Sequence, residues 1–244
     1  MGLFYQGSML STPRGISGPG AGSSINLNTG LVEFWKLASV NGEMGVITLT
    51  NNGTATFVAG KIGNAVDLNG TDQWLSAADN ANTRFNSAAW TVGGWFFPDV
   101  TTSGMQLVCK RDFAGILREI EISTIAGPKI RCEIFNGIST TRAQINSSNN
   151  YTQSAWNFFC VRFDPTVGAN GTVYLRLATT DQTPVALSGA SATSAAGLGI
   201  GALADGLGGF FNGKFDAVGK WNIKLSDAAV TNLYNSGVGR EGLF

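Results

Sequence analysis

Short apolar runs that end at turn residues make up most of this chain. Residues 90–97 alternate well enough to form a strand. Residues 156–163 and 173–177 are two further β-rich runs, and the Asn170-Gly171 pair before the second predicts a hairpin between them. Many short strands separated by turn clusters indicate a β-sandwich or a β-barrel. An all-β fold is therefore predicted.

One segment near the end of the chain has helical periodicity instead. Ser226 is a good N-cap, and Val230, Leu233 and Tyr234 fall on one face at helical spacing. Asn235 then supplies a stop signal. We expect one or two helical turns that lie across the end of a sheet.

The length of 244 residues suits one all-β domain, and six tryptophans and 15 phenylalanines supply a large core. Residues 1–30 differ, because Gly, Ser and Pro are too frequent there for the segment to bury a core of its own. We predict an extended N-terminal arm over residues 1–30 and one domain over residues 31–244. A poorly ordered terminus is the alternative for the arm. The apolar residues expected to anchor the arm on a partner are Leu3, Phe4, Tyr5, Met9 and Leu10.

Composition excludes several classes of function. The chain has no histidine, which removes imidazole acid/base catalysis, histidine-activated nucleophiles and histidine-ligated metals. Sixteen basic and 16 acidic residues balance without a basic block, so no nucleic-acid partner is expected. No apolar run approaches the roughly 18 residues of a membrane span, and the N-terminus lacks the features of a secretory signal. We therefore expect neither a membrane partner nor export by the general route.

The chain contains three cysteines, Cys109, Cys132 and Cys160. Their spacing suits neither a zinc site nor a disulfide framework. Each lies in an apolar or strand-like run, so all three are expected to be buried, inert thiols.

Four segments follow one another in the order of a known family. Residues 61–72 resemble its G-x-A-hydrophobic-x-F-x-G-x-D strand, residues 90–95 its F-T-V-S-x-W strand, and residues 156–161 its W-H-H-V-A strand with the histidines replaced. Residues 211–235 resemble its closing signature, an F-x-G-x-I/F-D-x-V strand, a Leu-Ser pair and a short helix ending in Leu-Tyr. Over about residues 31–240, the chain thus resembles the concanavalin A-like, laminin-G-type jelly-roll domains. This resemblance implies a jelly-roll sandwich of two antiparallel sheets with one short C-terminal helix, preceded by the extended N-terminal arm.

Two carboxylates are candidate catalytic groups, since glycoside hydrolysis needs a pair about 5–9.5 Å apart in one cleft. Glu119 and Glu121 share a face of one predicted strand, but Ser123 and Thr124 stand where jelly-roll enzymes carry a third acid. Alternation on a sheet surface explains both glutamates as solvated residues, so no enzymatic activity is expected. Asp216 is expected to be buried and bonded to a loop backbone.

The resemblance also suggests ligands. Many relatives bind calcium at a rim, and Asp72 occupies the family's aspartate position, although an Asx-type turn explains that residue without a metal. No other cofactor is expected. For a sugar ligand, the candidate contacts are the aromatic residues nearer to loops, whereas the strand tryptophans are expected to pack in the core. These candidates are Trp35, Phe113 and Tyr151.

Two functions remain open at this point. The first is a non-enzymatic structural protein on the external surface of a virion, a capsid decoration, cement or fibre-type subunit of a bacteriophage. It would form a homo-oligomer, with a trimer as the plausible state by analogy, and would anchor to a capsid or other virion protein through the arm. The alternative is a carbohydrate-binding lectin module that attaches to surface glycans.

Overall fold

The computed structural model describes residues 26–240, and in this part of the chain the fold is all-β with one short α-helix. The strands are β1 (Leu31–Trp35), β2 (Thr50–Asn52), β3 (Thr56–Ala59), β4 (Asn64–Asn69), β5 (Trp74–Ala77), β6 (Trp90–Pro98), β7 (Gln106–Arg111), β8 (Arg118–Ile125), β9 (Lys129–Gly137), β10 (Thr141–Asn146), β11 (Asn157–Asp164), β12 (Thr172–Leu177), β13 (Thr180–Asp181), β14 (Val185–Ala186), β15 (Leu198–Ile200) and β16 (Asn212–Trp221). The helical elements are α1 (Asp227–Tyr234) and a 3-10 turn at Asn235–Gly237.

Two antiparallel sheets form the sandwich. The nine-stranded sheet has the order β13-β12-β11-β6-β16-β4-β3, with β1 paired to β16 and β14 paired to β12. The seven-stranded sheet has the order β10-β9-β8-β7-β15-β5-β2. This architecture confirms the predicted jelly-roll sandwich of two antiparallel sheets. The hairpin predicted from the Asn170-Gly171 pair is also confirmed, as β11 and β12.

Strand β6 lies in the middle of the nine-stranded sheet, between β11 and β16. Burial on both faces explains why its sequence is almost continuously apolar. Two glycines allow the neighbouring strands to approach closely. A Cβ atom at Gly93 would lie 2.8 Å from the carbonyl oxygen of Phe159, and one at Gly94 would lie 2.8 Å from the Cα atom of Val218.

The buried apolar residues form two cores. The larger core lies between the sheets, and the smaller one lies beneath α1, where the helix packs over the outer face of the nine-stranded sheet. The helix starts as predicted, since the Oγ of Ser226 accepts a hydrogen bond from the backbone N–H of Ala229 at 3.1 Å. Its position differs from the prediction. It covers the sheet's outer face, and not its end, because Trp95, Phe158 and Trp221 make that face apolar.

The described part of the predicted arm already belongs to the domain. Leu27 is buried, and its carbonyl oxygen accepts a hydrogen bond from the indole Nε1 of Trp221 at 2.7 Å. Residues 26–30, which fall in the predicted arm, thus include at least one residue that packs against the domain. The predicted anchoring residues lie outside the described residues: Leu3, Phe4, Tyr5, Met9 and Leu10.

The three cysteines are free and buried, as predicted. Burial raises the pKa of the Cys109 and Cys160 thiols to about 12, and it raises the pKa of Cys132 further. Between residues 26 and 240, no helix is long and apolar enough to span a membrane.

Candidate functional site

A groove of about 340 Å³ lies against the outer face of the seven-stranded sheet, beside β5, β15 and β7. Two loops rim it, residues 112–117 between β7 and β8 and residues 201–211 between β15 and β16. We call it the Phe113 groove, after the exposed Phe113, which follows the lining residue Asp112 in one loop and lies near Gly208 in the other. Its polar lining consists of Ser76, Arg111, Asp112 and Asp205.

Two aspartates fix the shape of these loops. The Oδ2 of Asp205 accepts a hydrogen bond from the backbone N–H of Phe113 at 2.7 Å, so it ties one loop to the other. The Oδ1 of Asp112 accepts from the N–H groups of Ile116 and Leu117, each at 3.1 Å. Asp112 Oδ2 accepts no hydrogen bond from the residues that the structure describes. Both carboxylates thus retain capacity to accept hydrogen bonds from a ligand.

The two loops that flank the groove carry exposed apolar side chains. Phe113, Ile116 and Leu207 are each about three-fifths exposed and lie on the two loops. Isolated exposed apolar residues are common, whereas several around one concave site mark a binding surface.

Arg111 provides the cationic group of the groove. Its Nη1 binds the carboxylate of Glu121 on β8, whose Oε1 also accepts from the Nε2 of Gln106 at 2.7 Å. Glu133 lies directly opposite Glu121 across the β8–β9 pair. Burial, and then the charge of Glu121, raise the pKa of Glu133.

The solvated surface predicted for Glu119 and Glu121 is wrong, since Glu119 is 1% exposed and Glu121 is 7% exposed. The carboxylate of Glu119 accepts from the backbone N–H groups of Phe85 and Ser194, each at 2.7 Å, and lies 3.4 Å from the Nζ of Lys110. Loops distant in sequence therefore cover this end of β8, and both carboxylates already have partners within the protein.

The three aromatic residues predicted to contact sugar lie in different surroundings. Phe113 is 59% exposed and lies beside the groove, next to the lining residue Asp112. Trp35 is buried and donates from Nε1 to the carbonyl oxygen of Ile47 at 3.0 Å, while Tyr151 is buried against the ring of Phe96. The latter two rings offer no face to an external sugar, because core packing already covers them.

Asp72 lies in an exposed turn and accepts a hydrogen bond from the side-chain Nδ2 of Asn69 at 2.8 Å. Within residues 26–240, there is no group of three or more Cys, Asp or Glu side chains placed to hold a metal ion. Asp216 is buried, as predicted, and its Oδ2 accepts from the backbone N–H of Ile62 at 2.7 Å.

Sequence reasoning missed most of the groove. The sequence patterns described above do not mark Arg111, Asp112, Asp205 or Leu207 as site residues. A usable signal does exist, because an aspartate and a glycine bracket an exposed apolar residue in each loop: Asp112 to Gly115 around Phe113, and Asp205 to Gly208 around Leu207.

A family model described as the concanavalin A-like lectin/glucanases superfamily, Laminin_G_3, matches residues 69–231. A comparison with curated protein sequences finds no match.

Solved structures with the same fold include the following three. Domain 4 of AbnA, an extracellular arabinanase from Geobacillus stearothermophilus, was solved in complex with arabinotriose. It is 16% identical, with a TM-score of 0.63 over 86% of this chain and 98% of that domain. The binding domain of Paraclostridial Mosquitocidal Protein 1 is 13% identical, with a TM-score of 0.67 over 85% of this chain and 52% of that one. The receptor-binding domain of botulinum neurotoxin type G is 10% identical, with a TM-score of 0.63 over 85% and 51%. The chain thus spans about half the length of these toxin domains, and identities this low show a shared fold alone.

Proposed function

Because the chain belongs to the concanavalin A-like lectin/glucanases superfamily, we propose that it is a non-enzymatic carbohydrate-binding module that holds its ligand in the Phe113 groove. The observation that carries the proposal is an exposed aromatic ring in a loop beside a groove lined by charged hydrogen-bonding side chains. The complex of AbnA domain 4 with arabinotriose supports the same class of ligand.

The chemistry of the groove suits a neutral saccharide. The ring of Phe113 can cover the apolar face of a pyranose or furanose, since it stands against Gly208, where no side chain competes for space. Asp112 and Asp205 can accept hydrogen bonds from sugar hydroxyl groups, and Arg111 can donate to ring or hydroxyl oxygens. A few placed polar groups around an apolar contact are the usual design of a small-ligand site.

The absence of catalysis is part of this proposal. Glu121 is held by Arg111 and Gln106, and Glu119 is held by two backbone N–H groups and Lys110. A general acid or a nucleophile must be free to act on the scissile bond, and these carboxylates are engaged as structural acceptors.

Calorimetric titration with arabinotriose, followed by a panel of neutral oligosaccharides on a glycan array, tests the proposal. We expect Phe113→Ala to weaken binding of the best saccharide at least tenfold, because the ring face is lost. Val167→Ala, which shortens an exposed apolar residue outside the groove lining, is the control and should bind as the natural chain does. No saccharide binding at all, or equal binding by Phe113→Ala, would overturn the assignment.

The virion role, the homo-oligomer, the capsid partner and the external virion location stay predictions. They rest on the N-terminal arm, of which residues 1–25 lie outside the described part of the chain. None of the structural neighbours named above is a virion protein.

A further inference from the structure

A second cavity, of about 310 Å³, lies where the loop between β5 and β6 meets β1 and the end of β16. It shares no lining residue with the Phe113 groove. We call it the Lys220 cavity. Its polar lining consists of Asn82, Arg84, Asn86, Lys220 and Asn222.

Lys220 is the unusual member of this lining. The residue is 3% exposed, yet its Nζ has no hydrogen-bond or ion-pair partner among residues 26–240. The ring of Phe85 lies 5.0 Å from the Nζ as a cation–π contact. An ammonium this deeply buried with no directly bonded anion is costly, and an anionic ligand in the cavity would offset that cost.

The other charged side chains near Lys220 already have hydrogen-bond or ion-pair partners. Arg84 donates from Nε and Nη2 to the two oxygens of Asp79, at 3.1 and 2.7 Å, and Lys110 binds both Asp79 and Glu119. Glu33 lies opposite Lys220 in the β1–β16 register.

The carboxylate of Glu33 does not compensate Lys220. Its Oε1 accepts from the backbone N–H of Met44 and its Oε2 from the N–H groups of Val46 and Ile47, each at 2.8 Å. These bonds satisfy the carboxylate locally, so the ammonium of Lys220 faces the cavity without an anion.

The remaining groups of the cavity are donors. Within the described chain, the side-chain amides of Asn82, Asn86 and Asn222 donate no hydrogen bond, and the Nη1 of Arg84 has no acceptor. One ammonium, one guanidinium N–H and several amide N–H groups match the two oxygens and single charge of a carboxylate. A volume of about 310 Å³ lies at the lower end of small-ligand pockets.

We propose that the Lys220 cavity binds the carboxylate of a small acidic ligand, either an acidic sugar or a simple organic acid. Lys220 supplies the charge, and Arg84 and the asparagine amides orient the two oxygens. This site is separate from the neutral-saccharide groove and does not depend on that assignment.

The pH dependence of binding follows from the same geometry. Burial lowers the pKa of Lys220 to about 8, the charge of Glu119 raises it and that of Lys110 lowers it. The other charged groups of this region are Arg84, which lines the cavity, Asp79, which pairs with Arg84, and Glu33, which lies opposite Lys220 in the β1–β16 register. The lysine is therefore charged at pH 6.5 and neutral at pH 9.5, so carboxylate binding should weaken at least tenfold over this interval.

Calorimetric titration of the full chain at pH 6.5 with sodium glucuronate, sodium acetate and glucose tests the inference. We expect glucuronate to bind and glucose, which lacks the carboxylate, not to bind at this site. Tighter binding of glucuronate than of acetate identifies an acidic sugar as the ligand, and equal binding identifies a simple carboxylate. Absence of binding by both carboxylates would overturn the inference.

Variants separate this cavity from other anion contacts. Lys220→Met should reduce glucuronate binding at least tenfold, whereas Lys214→Met on the same strand should leave it unchanged. Asn222→Asp, at an exposed position, places a carboxylate beside the ammonium and should also abolish binding. Phe113→Ala should not change the affinity for glucuronate. A wrong assignment of the Phe113 groove and a wrong assignment of the Lys220 cavity therefore give different results. Unchanged glucuronate binding in both Lys220→Met and Asn222→Asp would contradict the proposal.

Discussion

Two buried lysines lie near the same end of the sandwich and have opposite surroundings. The Nζ of Lys110 on β7 lies 2.7 Å from Asp79 and 3.4 Å from Glu119, and it donates to the carbonyl oxygens of Ser194 and Ala196. The Nζ of Lys220 on β16 lies 5.0 Å from the ring of Phe85, and Lys220 lines a cavity. Burial alone therefore does not define a role. The paired lysine holds loops to the sheet, whereas the unpaired one is available to a ligand.

The first prediction breaks the paired side of this comparison. Lys110→Met removes the ammonium that pairs with the carboxylates of Glu119 and Asp79. Breaking a buried ion pair by removing one partner costs about 3–5 kcal/mol of unfolding free energy. Urea denaturation at pH 7 measures the loss. The double variant Lys110→Met with Glu119→Gln should recover part of it, and a loss below about 1 kcal/mol would contradict the structural role assigned to Lys110.

The second prediction extends the comparison to a buried carboxylate. Burial raises the pKa of Asp216 to about 6, and its Oδ1 accepts no hydrogen bond in the described structure. Between pH 4 and pH 6, the carboxyl of Asp216 is protonated in the folded state and ionised in the unfolded state. The unfolding free energy therefore falls as pH rises through this range, by about 3 kcal/mol in total. Denaturation of Asp216→Asn across pH 4–7 should lack this decline. An identical pH profile in the variant and the natural chain would show that Asp216 does not titrate in this range.

The third and smallest prediction concerns the unpaired lysine. Replacing the uncompensated ammonium by an apolar chain of similar length in Lys220→Met should stabilise the protein at pH 7 by about 1–2 kcal/mol. Because the folded-state pKa of Lys220 lies at about 8, below the ordinary 10.5, the unfolded state binds more protons between these values. The stability of the natural chain should therefore rise with pH through this window, and that of the variant should not. Thermal denaturation in buffers free of carboxylates measures both effects, and destabilisation by Lys220→Met would reveal a partner for the lysine.

Local patterns were sufficient to predict the architecture. Strand alternation, Asn-Gly turns and the Ser226 cap depend on residues close in sequence, and the family motifs predicted how these elements assemble. The buried state of Asp216 and of the three cysteines followed from the same patterns.

Site prediction was less successful because burial by a distant loop leaves no local trace. Glu119 has the alternation of a surface residue, yet Phe85 and Ser194, 34 and 75 residues away in sequence, donate to it. Trp35 and Tyr151 lie near loops in sequence, but the fold turns their rings into the core.

The sequence by itself determined that this chain forms an all-β fold, because side-chain periodicity and turn chemistry act over a few residues, and its resemblance to a known family implied the two-sheet jelly roll. Only the tertiary structure decided which charges are paired. Lys110 and Lys220 are equally plain lysines in strand-like runs, and their difference arises from Asp79 and Glu119, which the fold brings within 3.4 Å of the Lys110 ammonium and does not pair with Lys220. Electrostatic interactions depend on distance in space and on burial, and neither is encoded by neighbours along the chain.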